Sequence, residues 1–142
     1  MTKARTAAME ALDRAAGPLT AAEVLSAIVS ACDPATVYRA LHFLEEKGLA
    51  ESFALHCDAH GTERYYVSRN APHRHWLHCG RCHHFTDLGE CAIGPLVERL
   101  EDSCGVKIAG HVMYFTGICR RCAGKRSKPN AHGAPSPRSA QR

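Results

Sequence analysis

Two short cysteine motifs, Cys79-Gly80-Arg81-Cys82 and Cys119-Arg120-Arg121-Cys122, decide how this chain of 142 residues folds. The two-residue spacing inside each motif is typical of structural zinc sites. Four thiolates fill the tetrahedral shell of a zinc ion, so such a site stabilises a fold and leaves no position for catalysis. Residues 83–118 separate the motifs and are too long for a simple zinc ribbon loop. We therefore expect part of a folded domain between the motifs, closed by the metal.

Two other roles for paired cysteines fit less well. A redox Cys-x-x-Cys site needs only one pair near a βαβ pattern, and disulfides need an oxidising compartment. Residues 1–5 lead into a helical pattern without an apolar signal segment, and no apolar run reaches membrane length. The sequence therefore predicts a cytoplasmic chain with reduced thiols.

The residue pattern of the N-terminal half predicts three short helices. Apolar residues with helical spacing open the chain, and Gly17-Pro18 ends this first helix. A second helix begins at Thr20, where Glu23 completes the pattern of a capping box. Asp33-Pro34 supplies an N-cap and a first-turn proline for a third helix, which Gly48 ends. Three short helices with tight connections are typical of a helix-turn-helix core.

A two-stranded hairpin is predicted next, from residues 49–55 and 64–67. Helices followed by such a hairpin form a winged helix, whose third helix enters the major groove of DNA. Thr36, Tyr38 and Arg39 lie in the first turns of that helix and are the candidates for DNA contact. The pattern is equally consistent with Tyr38 in the core and Arg39 as a solvated charge.

Seven of the ten histidines lie between His56 and His84, which suggests a second metal site. An extended segment would place His73 and His75 on one face, where they favour binding of a divalent metal once another ligand joins them. The candidates for that additional ligand are His60, Asp87, Cys91 and His111. For the remaining histidines of this half, His56, His78, His83 and His84, we expect no ligand role, and His42 is expected to be structural.

The residue pattern of the C-terminal half predicts one helix and a small sheet. The helix begins at Gly94-Pro95, ends near Cys104-Gly105 and carries an apolar stripe of Ile93, Leu96, Val97 and Leu100. Residues 106–108 and 112–115 have strand composition. One helix on a small antiparallel sheet is thin for an independent domain, so we expect a second copy of the chain to cover it.

Charge distribution argues against a strongly basic folded surface. The formal net charge is +4, but residues 125–142 carry five basic residues and no acidic ones, whereas residues 1–70 carry seven basic and nine acidic ones. The predicted organisation is an α+β chain with a winged-helix DNA-binding domain at 1–69, a dimerisation and metal-binding domain at 70–124, and a disordered basic tail at 125–142.

Three features together resemble the ferric uptake regulator superfamily. They are the run from Ala35 to Leu41, the segment His73-Arg74-His75 before the first cysteine motif, and His111 eight residues before Cys119. The resemblance covers about residues 5–124. It implies a homodimeric, metal-responsive transcription factor that binds operator DNA through a winged helix. It also implies a structural zinc and a regulatory metal site at the hinge between two lobes.

By position, the resemblance implies roles for individual residues. Cys79, Cys82, Cys119 and Cys122 match the structural zinc ligands, and His73, His75, Asp87 and His111 match regulatory ligands. His75 lies one residue further from Cys79 than the family pattern has it, and an acidic ligand after the wing is missing. The hairpin segment His56-Cys57-Asp58-Ala59-His60 is expected to supply a substitute, with His60 as the candidate ligand.

The set of ligands indicates which metal is sensed. Nitrogen ligands with a possible thiolate favour zinc over iron or manganese, so we expect a repressor of the zinc uptake regulator type. The alternatives are an iron-responsive or peroxide-sensing member of the same family or, in a different class, a zinc-stapled protein-interaction module. A zinc deaminase is excluded because no His-x-Glu element occurs in the chain, so we expect no enzyme.

Overall fold

A computed structural model describes residues 1–29 and 32–125 as a mixed helix and sheet fold. The elements in chain order are α1 (Lys3–Arg14), β1 (Leu19–Thr20), α2 (Ala21–Ala27), α3 (Pro34–Glu46), β2 (Ala50–Cys57), β3 (Gly61–Ser68), β4 (Arg74–Cys79), β5 (Phe85–Glu90), α4 (Gly94–Cys104), β6 (Phe115–Gly117) and α5 (Arg120–Ala123). Within these residues no helix has the length and apolar character needed to cross a bilayer. The tail predicted to be disordered lies, beyond Lys125, outside the described residues.

Local capping signals set the helix boundaries in the N-terminal half. The hydroxyl of Thr20 accepts from the backbone NH of Glu23 at 3.2 Å, and the Glu23 carboxylate accepts from the backbone NH of Thr20 at 2.7 Å. This is the predicted capping box. Asp33 caps α3 by accepting from the backbone NH of Thr36 at 2.9 Å. Because these bonds satisfy free NH groups of the first turn, each helix begins where the sequence predicted.

The three helices pack around one apolar core. Its fully buried members include Ala8, Val24, Leu41 and Leu44, contributed by α1, α2 and α3. Helix α2 ends at Ala27, and Val29 beyond it is fully exposed, so the contribution of α2 to the core ends with the helix.

A three-stranded antiparallel sheet closes this core, with strand order β1-β3-β2. Strands β2 and β3 pair along their whole length, from Ala50 opposite Ser68 to Cys57 opposite Gly61. Each strand is therefore eight residues long, which is longer than the predicted segments 49–55 and 64–67. The tip of this hairpin extends towards the second half of the chain.

The second sheet has the order β5-β4-β6 and differs from the prediction. Strands β4 and β5 pair antiparallel, and β6 pairs parallel to β4. The sequence predicted strands at 106–108 and 112–115, but the structure has no strand between residues 106 and 114. The backbone NH of Ile108 instead donates to the Glu101 carboxylate at 2.7 Å. A strand forms only where a partner accepts its hydrogen bonds, and within residues 32–125 this segment has none.

An aromatic cluster joins the hairpin to the second sheet. Phe53 of β2 stacks on Tyr114 with ring centroids 5.5 Å apart, and Tyr65 of β3 meets Phe85 of β5 edge-on at 4.9 Å. Aromatic pairs at these separations add to the stability that burial provides. The two halves of the chain therefore contact each other through apolar rings, beside the histidines described below.

Candidate metal centres and nucleic-acid interface

The four cysteines of the paired motifs converge on one point. Cys79 ends β4, Cys82 follows in the next turn, Cys119 is the N-cap of α5 and Cys122 lies within α5. Their four Sγ atoms all lie within 4.8 Å of one another. The Sγ atoms of Cys82 and Cys119 are 3.7 Å apart. Two thiolates on one tetrahedral zinc, each at about 2.3 Å from the metal, lie about 3.8 Å apart, so the cluster has the size that zinc requires.

Ionisation of these thiols is uneven. The backbone NH of His84 lowers the pKa of Cys82 to about 5, whereas burial raises the pKa of Cys122 to about 12. Burial also opposes ionisation of Cys79, but backbone NH groups led by that of Cys119 outweigh it and lower the pKa. Thiolates this close repel one another, so the cluster needs a cation before all four can ionise. The residues therefore fit a structural zinc ion.

A second cluster contains His73, His75, Cys91 and His111. The Nε2 atom of His111 lies 3.0 Å from Nε2 of His73, 3.3 Å from Nε2 of His75 and 3.6 Å from Sγ of Cys91. On a tetrahedral zinc, two imidazole nitrogens lie about 3.3 Å apart, and a nitrogen and a sulfur lie about 3.5 Å apart. The four ligand atoms therefore surround a space of the right size for a metal ion.

Hydrogen bonds to the other ring nitrogens orient these histidines. The Nδ1–H of His73 donates to Oε1 of Glu51 at 3.1 Å, and the Nδ1–H of His75 donates to the carbonyl of Met113 at 2.9 Å. Both Nε2 atoms then carry lone pairs that face His111. One proton on His111 cannot satisfy both lone pairs, but a cation at their centre would satisfy all three rings. Histidines that bind a metal usually donate their other ring N–H to a carboxylate or a backbone carbonyl in this way.

His111 is adapted to the neutral form that binds metals. Burial lowers its pKa below the ordinary value of 6.5, and the neighbouring His73 and His75 lower it further. A neutral imidazole is the ligand form. A cleft lined by Glu51, His73, Cys91 and His111 opens to solvent and gives a metal ion an entry path.

Two residues expected as ligands do not belong to this cluster, although Asp87 lines the same cleft. The carboxylate of Asp87 accepts from Nε of Arg74 at 2.7 Å, and this bond lowers the pKa of Asp87. Asp87 is thus held by a cation of its own strand pair rather than by the histidines. The prediction that His60 substitutes for the missing acidic ligand also fails on geometry, because His60 lies at the tip of the hairpin with other partners.

His60 forms a third cluster with Cys57 and His83. From the sequence, Cys57 was only part of the hairpin segment expected to supply a substitute ligand, and His83 was expected to have no ligand role. Their convergence depends on a contact between the tip of the β2–β3 hairpin and the turn after Cys82, two segments far apart in the chain. Glu51 was missed for the same reason, since His73 lies 22 residues further on.

The candidate DNA-contacting residues differ in whether their side chains are free to contact DNA. Tyr38 is 59% exposed and Arg39 is also exposed, so Tyr38 does not belong to the core. The Thr36 hydroxyl donates to Asp33 at 2.6 Å and accepts from Arg39 at 2.9 Å. Thr36 therefore serves the helix cap and orients Arg39, while Tyr38 and Arg39 face solvent from the first turns of α3.

Comparison with known proteins places the chain in a family. The model of the ferric uptake regulator family matches residues 1–116. A ferric uptake regulation protein of Campylobacter upsaliensis is 34% identical over 92 residues, covering 62% of this chain and 54% of the relative. The protein of the same name from Bacillus subtilis is 31% identical over 96 residues, covering 66% and 62%. The chain thus matches little more than half the length of these relatives.

Solved structures share the fold. The ferric uptake regulator of Helicobacter pylori superposes with a TM-score of 0.70 at 22% identity, covering 89% of this chain and 84% of that one. A zinc uptake regulator in complex with zinc and DNA gives 0.58 at 23% identity, covering 86% and 82%. Proteins of the matched family are transcription regulators rather than enzymes. On the match to residues 1–116, the chain belongs to the ferric uptake regulator family.

Proposed function

We propose that this chain is a metal-responsive, DNA-binding transcription regulator that represses metal-homeostasis genes and responds to zinc. The observation that carries the proposal is the bond between Glu51 and His73. Glu51 belongs to β2 of the hairpin, whereas His73 belongs to the cluster with His75, Cys91 and His111. A metal ion in that cluster would therefore act on the half of the chain that carries α3.

The donor set favours zinc as the sensed metal. Three imidazoles and one thiolate fill a tetrahedral shell, and no carboxylate belongs to the cluster within the described residues. Thiolate and imidazole suit zinc, while manganese prefers carboxylate and water oxygens. The names of the curated relatives, ferric uptake regulation proteins, favour iron as the second candidate.

Metal binding would act by favouring one arrangement of the two halves. While Nδ1 of a neutral His73 donates to Glu51, its Nε2 carries the lone pair that can bind the metal, so the ion and the carboxylate hold the ring from opposite sides. Metal and DNA then stabilise the same arrangement, and each raises the affinity of the protein for the other.

DNA contact is proposed through a winged helix made of α1 to α3 and the β2–β3 hairpin, within residues 1–69. Tyr38 and Arg39 are exposed at the start of α3, the end of the recognition helix that meets base edges. Arg39 offers a fork that suits either a guanine edge or a phosphate.

A homodimer is proposed through the second half, residues 70–124. Leu96 and Leu100 of α4 are 42% and 41% exposed, and α4 has no buried residue. An amphipathic helix with its apolar stripe in solvent lacks the partner that stabilises it. A second copy would cover this stripe and place two α3 helices for paired half-sites on DNA.

The proposal is tested by DNA binding at buffered free metal. Fluorescence anisotropy would follow binding to DNA from upstream of the protein's own gene while Zn(II), Fe(II) or Mn(II) is titrated, with His111→Ala as the test variant. His56→Ala is the matched control, because His56 is exposed and, among the described residues, contacts Thr62 and Asp58 of its own hairpin. Zinc alone should tighten binding, and only His111→Ala should lose the response.

Other outcomes revise the proposal. Tightening by Fe(II) or Mn(II) alone would contradict zinc as the sensed metal. An unchanged affinity with every metal would contradict regulation through the histidine cluster. Absence of salt-dependent DNA binding would favour the protein-interaction module, because phosphate contacts make affinity depend on salt.

A further inference from the structure

The cluster of Cys57, His60 and His83 has the dimensions of a metal site. The Sγ atom of Cys57 lies 3.6 Å from Nδ1 of His60 and 3.4 Å from Nδ1 of His83. A sulfur and a nitrogen bound to one tetrahedral zinc lie about 3.5 Å apart. The rings of His60 and His83 meet edge-on with centroids 4.7 Å apart. The Nδ1 atoms of both rings lie within 3.6 Å of the Cys57 sulfur.

The backbone of His83 is held in an uncommon conformation. Its φ is +59°, and among the described residues other than glycine it alone has a positive φ. Such a conformation is uncommon outside glycine, although histidine tolerates it better than most residues, and it persists where surrounding structure imposes it. The backbone NH of His83 donates to the Cys79 carbonyl at 2.9 Å, so the turn of the first cysteine motif imposes this conformation. The turn thereby presents the imidazole to the hairpin.

A buried histidine with one ring nitrogen that has no hydrogen-bond partner among the described residues adjoins the cluster. His78 of β4 is 3% exposed, and its Nε2 has no hydrogen-bond partner among the described residues. Its ring centroid lies 5.8 Å from that of His83. An unsatisfied buried nitrogen is costly and calls for an explanation. A metal ion beside His83 would supply a positive charge next to this lone pair.

We propose that Cys57, His60 and His83 bind a third metal ion, a divalent cation of the zinc type that accepts one thiolate and two imidazoles. Three protein ligands leave a fourth position for water or for His78. The ion would clip the tip of the β2–β3 hairpin to the turn of the first cysteine motif. This site is separate from the four-cysteine cluster and from the histidine cluster, and its existence does not depend on DNA binding.

The alternative to a metal is a pair of weak S–H···N hydrogen bonds from Cys57. These would hold the same atoms at similar distances without any ion. The two possibilities differ in stoichiometry. With the metal the full chain binds three zinc ions, and with hydrogen bonds alone it binds two.

Native mass spectrometry of the reduced full chain in buffered zinc would count the ions. We expect three per wild-type chain and two in Cys57→Ser, His60→Ala and His83→Asn. Asparagine tolerates a positive φ, so His83→Asn removes the ligand without straining the turn. His56→Ala, next to Cys57 but outside the cluster, should keep three ions. His60 is exposed, so His60→Ala provides the test if Cys57→Ser fails to fold.

A second readout uses thiol protection. Iodoacetamide should label Cys57 slowly in zinc-loaded wild-type protein and at least tenfold faster in zinc-loaded His60→Ala, while exposed Cys104 reacts equally in both. The deciding quantity is the difference between wild type and variants, because it does not depend on whether the histidine cluster is filled. The same ion count in the wild type and in all three ligand variants would overturn the proposal. Equal labelling of Cys57 in wild type and His60→Ala would also overturn it. Neither readout involves DNA, so failure here is distinct from failure of the proposed function.

Discussion

Oε1 of Glu51 lies 3.1 Å from Nδ1 of His73 and so connects the hairpin to the histidine cluster. The two side chains are about one third exposed, and each belongs to a different half of the chain. The carboxylate fixes the tautomer that turns the opposite nitrogen of His73 towards His111, 3.0 Å away. One hydrogen bond therefore joins the histidine cluster to the half of the chain that contains α1 to α3.

The first prediction concerns this bond. Glu51→Gln should weaken zinc binding at the histidine cluster by about 10- to 100-fold, the usual effect of losing an outer partner of a ligand histidine. Competition with a chelator of known affinity measures the change. Glu10→Gln, an exposed glutamate on α1, is the control and should bind zinc as the wild type does. Equal affinities in all three proteins would show that Glu51 does not support the site.

A second prediction concerns metal preference. Cys91→Ser removes the sole thiolate of the histidine cluster, so zinc affinity should fall more than manganese affinity. Parallel titrations with the two metals give the ratio. Cys104→Ser, at an exposed cysteine outside the three clusters, should leave the ratio unchanged. If Cys91→Ser lowers both affinities by the same factor, the thiolate does not set the preference.

The third prediction concerns acid sensitivity. Burial and the neighbouring histidines lower the pKa of His111, so its neutral form persists below pH 6.5. Protons therefore compete with the metal for His111 at a lower pH than they would for an imidazole of ordinary pKa. The loss of zinc affinity that comes from protonation of His111 should therefore occur mainly below pH 6.5. Zinc affinity measured from pH 7.5 to 5 checks this, and a decline complete by pH 6.5 would contradict it.

The fourth prediction concerns DNA contact by α3. Arg39→Ala should weaken DNA binding, and a phosphate contact would also reduce the salt dependence of the affinity by about one charge per protomer. A guanine contact would instead relax sequence preference with little change in salt dependence. His42→Ala, exposed on the same helix, is the control. Unchanged affinity for Arg39→Ala would remove Arg39 from the interface.

The fifth prediction concerns self-association. Leu100→Asp places a charge in the exposed apolar stripe of α4, so a dimer formed there should dissociate. Light scattering during size-exclusion chromatography measures the mass. Glu98→Gln, an exposed change on the same helix, should leave the dimer intact. A dimeric Leu100→Asp protein would show that another surface joins the copies.

Much of the helical half could be predicted because its signals are local. The capping box at Thr20, the cap at Asp33 and the left-handed glycine at Gly48 each act within one helical turn. Gly105, which ends α4, has the same left-handed conformation. Residues within four positions of one another meet in any helix, so the sequence alone specifies these contacts.

The second sheet was less predictable because its pairing is not local. Strand β4 buries His75, His78 and Cys79, residues that lack the apolar alternation of a typical strand. In β5 the pairing register shifts near Gly89, which has a φ of +96°. Residues 106–108 and 112–115 had the composition of strands, but residues 106–114 have no strand to pair with in the described part of the chain.

The site residues show the same contrast between local and non-local contacts. The four-cysteine cluster was predictable because the spacing within each motif brings its two thiols together. A structural zinc ion needs four ligands, which the two motifs supply together. Glu51 and Cys91 join the histidines only through tertiary contacts. Asp87 was assigned by position, but Arg74 on the paired strand binds its carboxylate.

If metal in the histidine cluster and DNA on α3 favour the same arrangement of the chain, the two ligands must raise the affinity of the protein for each other. This reciprocal coupling is measured as zinc affinity with and without operator DNA, and as DNA affinity with and without zinc at the cluster. Both affinities should rise by the same factor, of about 5- to 150-fold, and this factor should fall to one in His111→Ala. A factor of one in the wild-type protein would show that the histidine cluster does not control DNA binding.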